Sequence, residues 1–173
     1  MTKCDKLIDT GRRQFLRGGA LATAGVVSAT VFPAPAAAQL GQALVNYPIN
    51  RLANVSDLKI NKPVDVRYPD AESPGVLLKL GARVAGGVGQ DGDIVAFSTM
   101  CPHRGFGLVY RSDDRTLNCP AHYSRFDCEA GGQQIMGQAT QNLPQFILRV
   151  DGEGEIYAEG VDELLYGRLS NVL

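Results

Sequence analysis

Apolar residues in this chain come in short groups rather than long stripes. From Leu44 to Pro69 the pattern alternates loosely, with Val64, Val66 and Tyr68 on one face and Asp65 and Arg67 on the other, the period of a half-buried strand. Val76 to Leu80 is a denser apolar run. Turn-forming residues from Gly86 to Asp93 separate it from Ile94-Val95-Ala96-Phe97, so the two runs are expected to pair as a hairpin. Further short strands are expected at Thr116-Leu117, Ser124 to Asp127, Phe146 to Val150 and Glu155 to Ala158, the last two joined by Asp151-Gly152-Glu153-Gly154. Helical character appears once in this part of the chain, as a short helix expected around Val161 to Tyr166. Turn signals recur about every ten residues, which predicts an all-β, antiparallel sandwich or barrel and not βαβ units.

Composition agrees. The chain has 173 residues, 45% of them apolar, enough for one folded domain once any targeting segment is set aside. Its 20 Gly and 9 Pro suit many turns, and the formal charge of -1 carries no basic excess, so nucleic acid is excluded as an expected partner.

The first forty residues read differently. Gly-Arg-Arg-Gln-Phe-Leu-Arg at residues 11 to 17 precedes an apolar, small-residue run from Gly18 to Phe32, which ends in Pro33-Ala34-Pro35-Ala36-Ala37-Ala38. This is the layout of a secretory signal, residues 1–38, cleaved after Ala38, and Arg12-Arg13 before Phe15-Leu16 resembles the twin-arginine (Tat) class. That route exports proteins already folded around a cofactor, so a periplasmic, cofactor-bearing domain is expected over residues 39–173. The apolar run is shorter than the roughly 20 residues of a membrane-spanning helix, and it would be an anchor only if retained. Without residues 1–38 the chain keeps 12 basic and 16 acidic residues, a net charge of -4.

The chemistry concentrates in two short segments. The only two histidines, His103 and His122, each follow a cysteine closely, in Cys101-Pro102-His103 and Cys119-Pro120-Ala121-His122. Two Cys and two His suit a tetrahedral zinc site. Zinc fingers, however, pair Cys with Cys and His with His along the sequence, whereas here each arm supplies one of each, with 15 residues between His103 and Cys119. Two loops that each reach both metals also suit a binuclear iron-sulfur cluster with two Cys on one iron and two His on the other. Exchanging two thiolates for neutral imidazoles makes an oxidised cluster formally neutral instead of a dianion. An electron is then easier to add, at roughly -150 to +300 mV against about -400 mV for all-Cys plant-type clusters. An imidazole bound through one nitrogen leaves the other to face solvent and a partner.

C-x-H followed by C-x-x-H resembles the Rieske family, and the likeness runs from about Asp93 to Val150. It implies a Rieske-type fold with a small cluster-binding subdomain of loops, about residues 93–150. It also implies one 2Fe-2S cluster per chain, held by Cys101, His103, Cys119 and His122. Gly137 to Pro144 matches the family's third, proline-containing loop, which covers the cluster. Members that serve quinol-oxidising cytochrome bc complexes carry an extra Cys in each loop and join the two by a disulfide. Phe106 and Ala121 stand at those positions here, so the bridge is absent and Phe106 is expected to pack on the opposite loop. Cys128 is expected to be a buried, unpaired thiol. High-potential members place a Ser and a Tyr after the second His as hydrogen-bond donors to cluster sulfur. Ser124 matches the first and Phe126 replaces the second, which implies a mid-range potential.

The whole combination, through Gly-Gly-Gln-Gln and Gly-Gln-Ala-Thr-Gln-Asn-Leu-Pro-Gln, is similar to the small Rieske subunits of bacterial arsenite oxidases. That likeness implies an electron-transfer subunit of an oxidoreductase, without a substrate site of its own. Its partner would be a molybdenum-pterin large subunit that turns arsenite into arsenate, and its acceptor a periplasmic cytochrome c or azurin-like copper protein. The Rieske subunit of a quinol-oxidising complex and a free Rieske ferredoxin are the alternatives. The missing disulfide pair and Phe126 oppose the first, and the Arg12-Arg13 signal opposes the second.

Overall fold

A computed structural model describes residues 46–172; the expected signal segment and its cleavage point after Ala38 lie outside the described residues. Ten strands follow one another: β1 Asn50–Asn54, β2 Val64–Arg67, β3 Pro74–Lys79, β4 Ile94–Ser98, β5 Val109–Arg111, β6 Thr116–Asn118, β7 Arg125–Asp127, β8 Gln133–Met136, β9 Phe146–Val150 and β10 Glu155–Val161. They form three antiparallel sheets, ordered β1-β10-β9, β2-β3-β4 and β5-β6-β7-β8. The fold is all-β, as the turn spacing predicts. The loosely alternating stretch before Pro69 divides into β1 and β2, separated by a 3-10 turn at Val55–Asp57 whose start is capped by the Asn54 side chain.

The β3-β4 hairpin forms as expected, with Val76 opposite Phe97 and Leu78 opposite Val95. Every residue of β4 is buried, because the hairpin is covered on both faces. Side chains alternate across a strand. Leu77, Ile94 and Ala96 point into a core shared with Phe146, Leu148, Ile156 and Ala158 of β9 and β10. Val76, Leu78, Val95 and Phe97 point the other way, into a second core with Leu117, Phe126, Cys101 and Cys119. One core closes the base of the molecule and the other is the floor of the β5–β8 meander.

The sequence signal failed at three places. β5 and β8 have only three and four residues, mostly exposed, and their extended conformation comes from pairing with β6 and β7. The helix expected around Val161 to Tyr166 does not form. Val161 ends β10, and the chain then turns: Asp162 exchanges hydrogen bonds with the Gln145 backbone, accepting from its N–H at 2.7 Å and donating to its C=O at 3.1 Å. These bonds take the polar groups that a first helical turn would use.

Beyond β10 the tail is fastened back to the base. Asn171, nearly buried, accepts from Leu165 N–H at 2.8 Å and donates to Glu163 O at 2.8 Å and to the Tyr47 hydroxyl at 2.9 Å. Arg168 reaches both oxygens of Asp70 at 2.6 and 2.9 Å, a two-pronged pair that holds the Asp70 carboxyl below its ordinary range. A carboxyl whose folded value is lowered stabilises the fold above the ordinary carboxylate range and loses that contribution as pH falls. Arg168→Ala is therefore expected to cost ~1 kcal/mol of stability in urea titrations near pH 7. The difference from the unsubstituted protein should shrink as the pH is lowered below about 4.

Candidate metal centre

The two Cys-His segments fold into the same small loop. In the first, between β4 and β5, Cys101 N–H donates to Phe106 O at 2.8 Å and Gly105 N–H donates to Cys101 O at 2.7 Å. In the second, between β6 and β7, Cys119 N–H donates to Ser124 O at 2.8 Å and Tyr123 N–H donates to Cys119 O at 3.1 Å. Both turns reverse through a left-handed residue four positions after the cysteine, Gly105 at φ 69° and Tyr123 at φ 60°. C-x-H and C-x-x-H are thus one backbone shape with the histidine moved by one place.

The loops bring all four expected ligands together. Cys101 and Cys119 are 1% and 2% exposed at the floor of the site. The rings of His103 and His122 lie above them, their centroids 4.8 Å apart and their planes at 80°. Burial is the main cause that pushes the Cys101 thiol up, with the nearby Cys119 thiol adding to it, while the backbone N–H groups of His103 and Arg104 pull the other way. The Nδ1 atoms of His103 and His122 are both buried without a hydrogen-bond partner. Such an atom costs ~1–3 kcal/mol unless something binds it. Two buried thiols beneath two orphaned imidazole nitrogens fit an iron-sulfur cluster. Each loop supplies one thiol and one imidazole, so a binuclear cluster with two donors for each of two irons can be reached from both loops.

Phe106 packs its ring edge-on against His122 at 5.8 Å, on the opposite loop as expected from the missing disulfide position. His103 and His122 border a shallow surface depression with Arg104, Ala121, Tyr123 and Gln138, so the imidazole side of the site faces outward. The third segment, Gly137 to Pro144, lies against both loops. Ala139 and Leu143 enter the core that holds Cys101 and Cys119. The fully buried Ser124 accepts from Gln138 N–H at 3.1 Å and Ala139 N–H at 3.0 Å. Gly137 approaches Ser124 so closely that a Cβ would sit 2.3 Å from Ser124 Cα. Phe126 is wholly buried beside the cysteines, and Cys128 is a buried, unpaired thiol pushed up to about 12 by burial.

Fold and donor set together define an iron-sulfur electron-transfer protein. The sequence model of the Rieske [2Fe-2S] domain matches residues 49–147. The iodate reductase subunit IdrB of Denitromonas iodatirespirans is 39% identical over 163 residues, spanning 92% of this chain and 85% of that protein. Its counterpart in Pseudomonas sp. strain SCT is 40% identical over 160 residues, 90% of this chain and 81% of that one. Among solved structures, the soluble domain of the Rieske protein II from Sulfolobus acidocaldarius shares the fold at TM-score 0.65 and 24% identity, covering 73% of this chain and 84% of that one. The chain belongs to the Rieske [2Fe-2S] domain family, and its cofactor is a Rieske-type 2Fe-2S cluster. It is a Rieske-type electron-transfer protein. The two IdrB relatives bear the name of an iodate reductase subunit and not of an arsenite oxidase.

Ser124→Ala leaves the buried Ala139 N–H and the part-buried Gln138 N–H without an acceptor. A loss of ~1–3 kcal/mol is expected in denaturant titrations of the cluster-loaded protein. Hydrogen exchange should become faster at the Gln138 and Ala139 amides.

Proposed function

We propose that Cys101 and Cys119 bind one iron, that His103 and His122 bind the other through Nδ1, and that the chain relays electrons for a molybdenum-pterin catalytic subunit in the periplasm after export by the Tat route. The observation that carries the ligand set is the pair of orphaned Nδ1 atoms above two buried thiols. The cluster supplies one-electron redox chemistry at a potential that its imidazole ligands raise. The remaining work falls to the protein. Leu117, Phe126, Ala139 and Leu143 keep water from the cysteine side. Ser124 is fixed by two accepted hydrogen bonds, and its own proton is left to donate to a sulfur. The depression around the two imidazoles supports a contact surface through which electrons enter or leave. The three loops over 101–107, 119–124 and 137–144 contain no carboxylate and a single Arg, a charge-poor rim suited to the centre of a protein interface.

The proposed catalytic reaction of the partner is arsenite oxidation, with electrons passing to this chain and on to a cytochrome c or azurin-like copper protein. The second reading reverses the flow. The two IdrB relatives favour a partner that reduces iodate with electrons delivered by this chain. The native complex separates them. Its metal content should include iron and molybdenum. Arsenite should raise the reduced-cluster electron paramagnetic resonance signal under the first reading, whereas iodate should abolish that signal in the pre-reduced complex under the second. The isolated chain should do neither catalytically, and a catalytically active isolated chain would overturn the division of labour.

Phe126 offers no hydroxyl to the cluster, so a redox titration is expected to return a value below the top of the family range, roughly +300 mV. Phe126→Tyr should move it upward, because a hydrogen bond to sulfur favours the reduced, more negative cluster.

A further inference from the structure

The two ligand loops share one backbone, yet they differ at the residue that reverses them. In the second loop Tyr123 holds the left-handed conformation with its side chain 73% exposed. A residue with a Cβ is therefore compatible with this loop. In the first loop the same place is glycine, which suits the left-handed turn, and a second reason for it lies outside the loop. A Cβ on Gly105 would sit 2.5 Å from Cε1 and 2.6 Å from Cδ1 of Tyr166, a residue of the C-terminal tail. The ring of Tyr166 lies directly on the peptide whose N–H closes the loop onto Cys101 O.

Tyr166 is held there from both sides. Leu165, just before it, is buried in the base core and donates its N–H to Asn171. Arg168, two residues after it, grips Asp70. The same tail reaches the third loop, where Gln141 Nε2 donates to Leu164 O at 3.4 Å. Among the described residues nothing on the outer side of the first loop offers comparable support, since Phe106 is half exposed and Gly107 has open space around it.

We infer that Tyr166 is a positioning residue of the cluster: its ring, braced by the tail, fixes the turn at Gly105 and through it the placement of Cys101 and His103. The tail is then a fourth element of the site, and the glycine at 105 answers both to its left-handed backbone and to Tyr166. This deepens the ligand assignment proposed above and rests on it.

The test uses the purified, cluster-loaded protein with Tyr166→Ala, Tyr166→Phe, Gly105→Ala and the double variant Gly105→Ala with Tyr166→Ala. Tyr166→Ala is expected to change the g-values of the reduced cluster and shift its reduction potential. It should also speed loss of the visible cluster absorbance to a chelator by about fivefold, the scale of one lost, partly buried aromatic contact. Tyr166→Phe keeps the ring and should restore all three. Gly105→Ala should lose cluster faster than the double variant, in which the Cβ no longer meets the ring. A Tyr166→Ala protein with unchanged spectrum, potential and cluster retention overturns the inference, even if its melting temperature falls. Failure of Tyr166→Phe to restore them overturns it as well. If Tyr166→Ala does not fold, Tyr166→Leu takes its place alone and in the double variant, and wild-type spectrum and retention in Gly105→Ala still exclude the contact. An unsubstituted protein that binds no cluster overturns the ligand assignment instead, and that outcome is distinct from a normal wild type matched by its Tyr166→Ala variant.

Discussion

The structure depends on a hairpin that is buried on both faces. Strands β3 and β4 carry apolar side chains at nearly every position, so neither face tolerates water, and the chain must supply a cover for each. β1, β9 and β10 cover one face around Leu77, Ile94 and Ala96. The meander and its loops cover the other around Val76, Leu78, Val95 and Phe97. The cysteines that end up on this second core are among its covering residues. The metal centre is thereby built onto the most water-excluded layer of the molecule, and its histidine side is left at the surface.

The site combines two kinds of restraint. Local restraint comes from each loop itself, in which the cysteine both donates and accepts a backbone hydrogen bond across a turn of five or six residues. Longer-range restraint comes from elements that meet only in the folded protein. Ser124 ties the second loop to the third, Phe106 bridges the first loop to His122, and Tyr166 braces the first loop from the tail. Where related proteins of quinol-oxidising complexes carry a disulfide between the loops, this chain has an aromatic ring against an imidazole. That contact is weaker than a covalent bond and contributes packing without a redox-sensitive link.

Much of the fold was legible along the chain because its signals are local. Val64, Val66 and Tyr68 alternate with Asp65 and Arg67, and Ile94 to Phe97 is an unbroken apolar run, so β2, β4 and the hairpin follow from side-chain period alone. β5 and β8 were not legible. Val109-Tyr110-Arg111 and Gln133-Gln134-Ile135-Met136 have no distinctive period, and their partners β6 and β7 impose the strand conformation. Val161 to Tyr166 looked helical because Leu164 and Leu165 invite it. Asp162 and Asn171 spend their hydrogen bonds on distant backbone instead.

By itself the sequence determined the all-β class, the hairpin, the four candidate donor residues in two closely related loops and the lack of a second Cys in each loop, because each is written in residue type and spacing. Tertiary structure alone decided which way the histidines face and that their Nδ1 atoms are the buried, unpartnered ones. It also decided that Ser124 accepts two hydrogen bonds from the third loop, and that a side chain at Gly105 would meet the ring of a tyrosine 61 residues away. These are contacts between segments far apart in the chain. No local period or propensity encodes them, since each exists only once the hairpin has gathered its two covers.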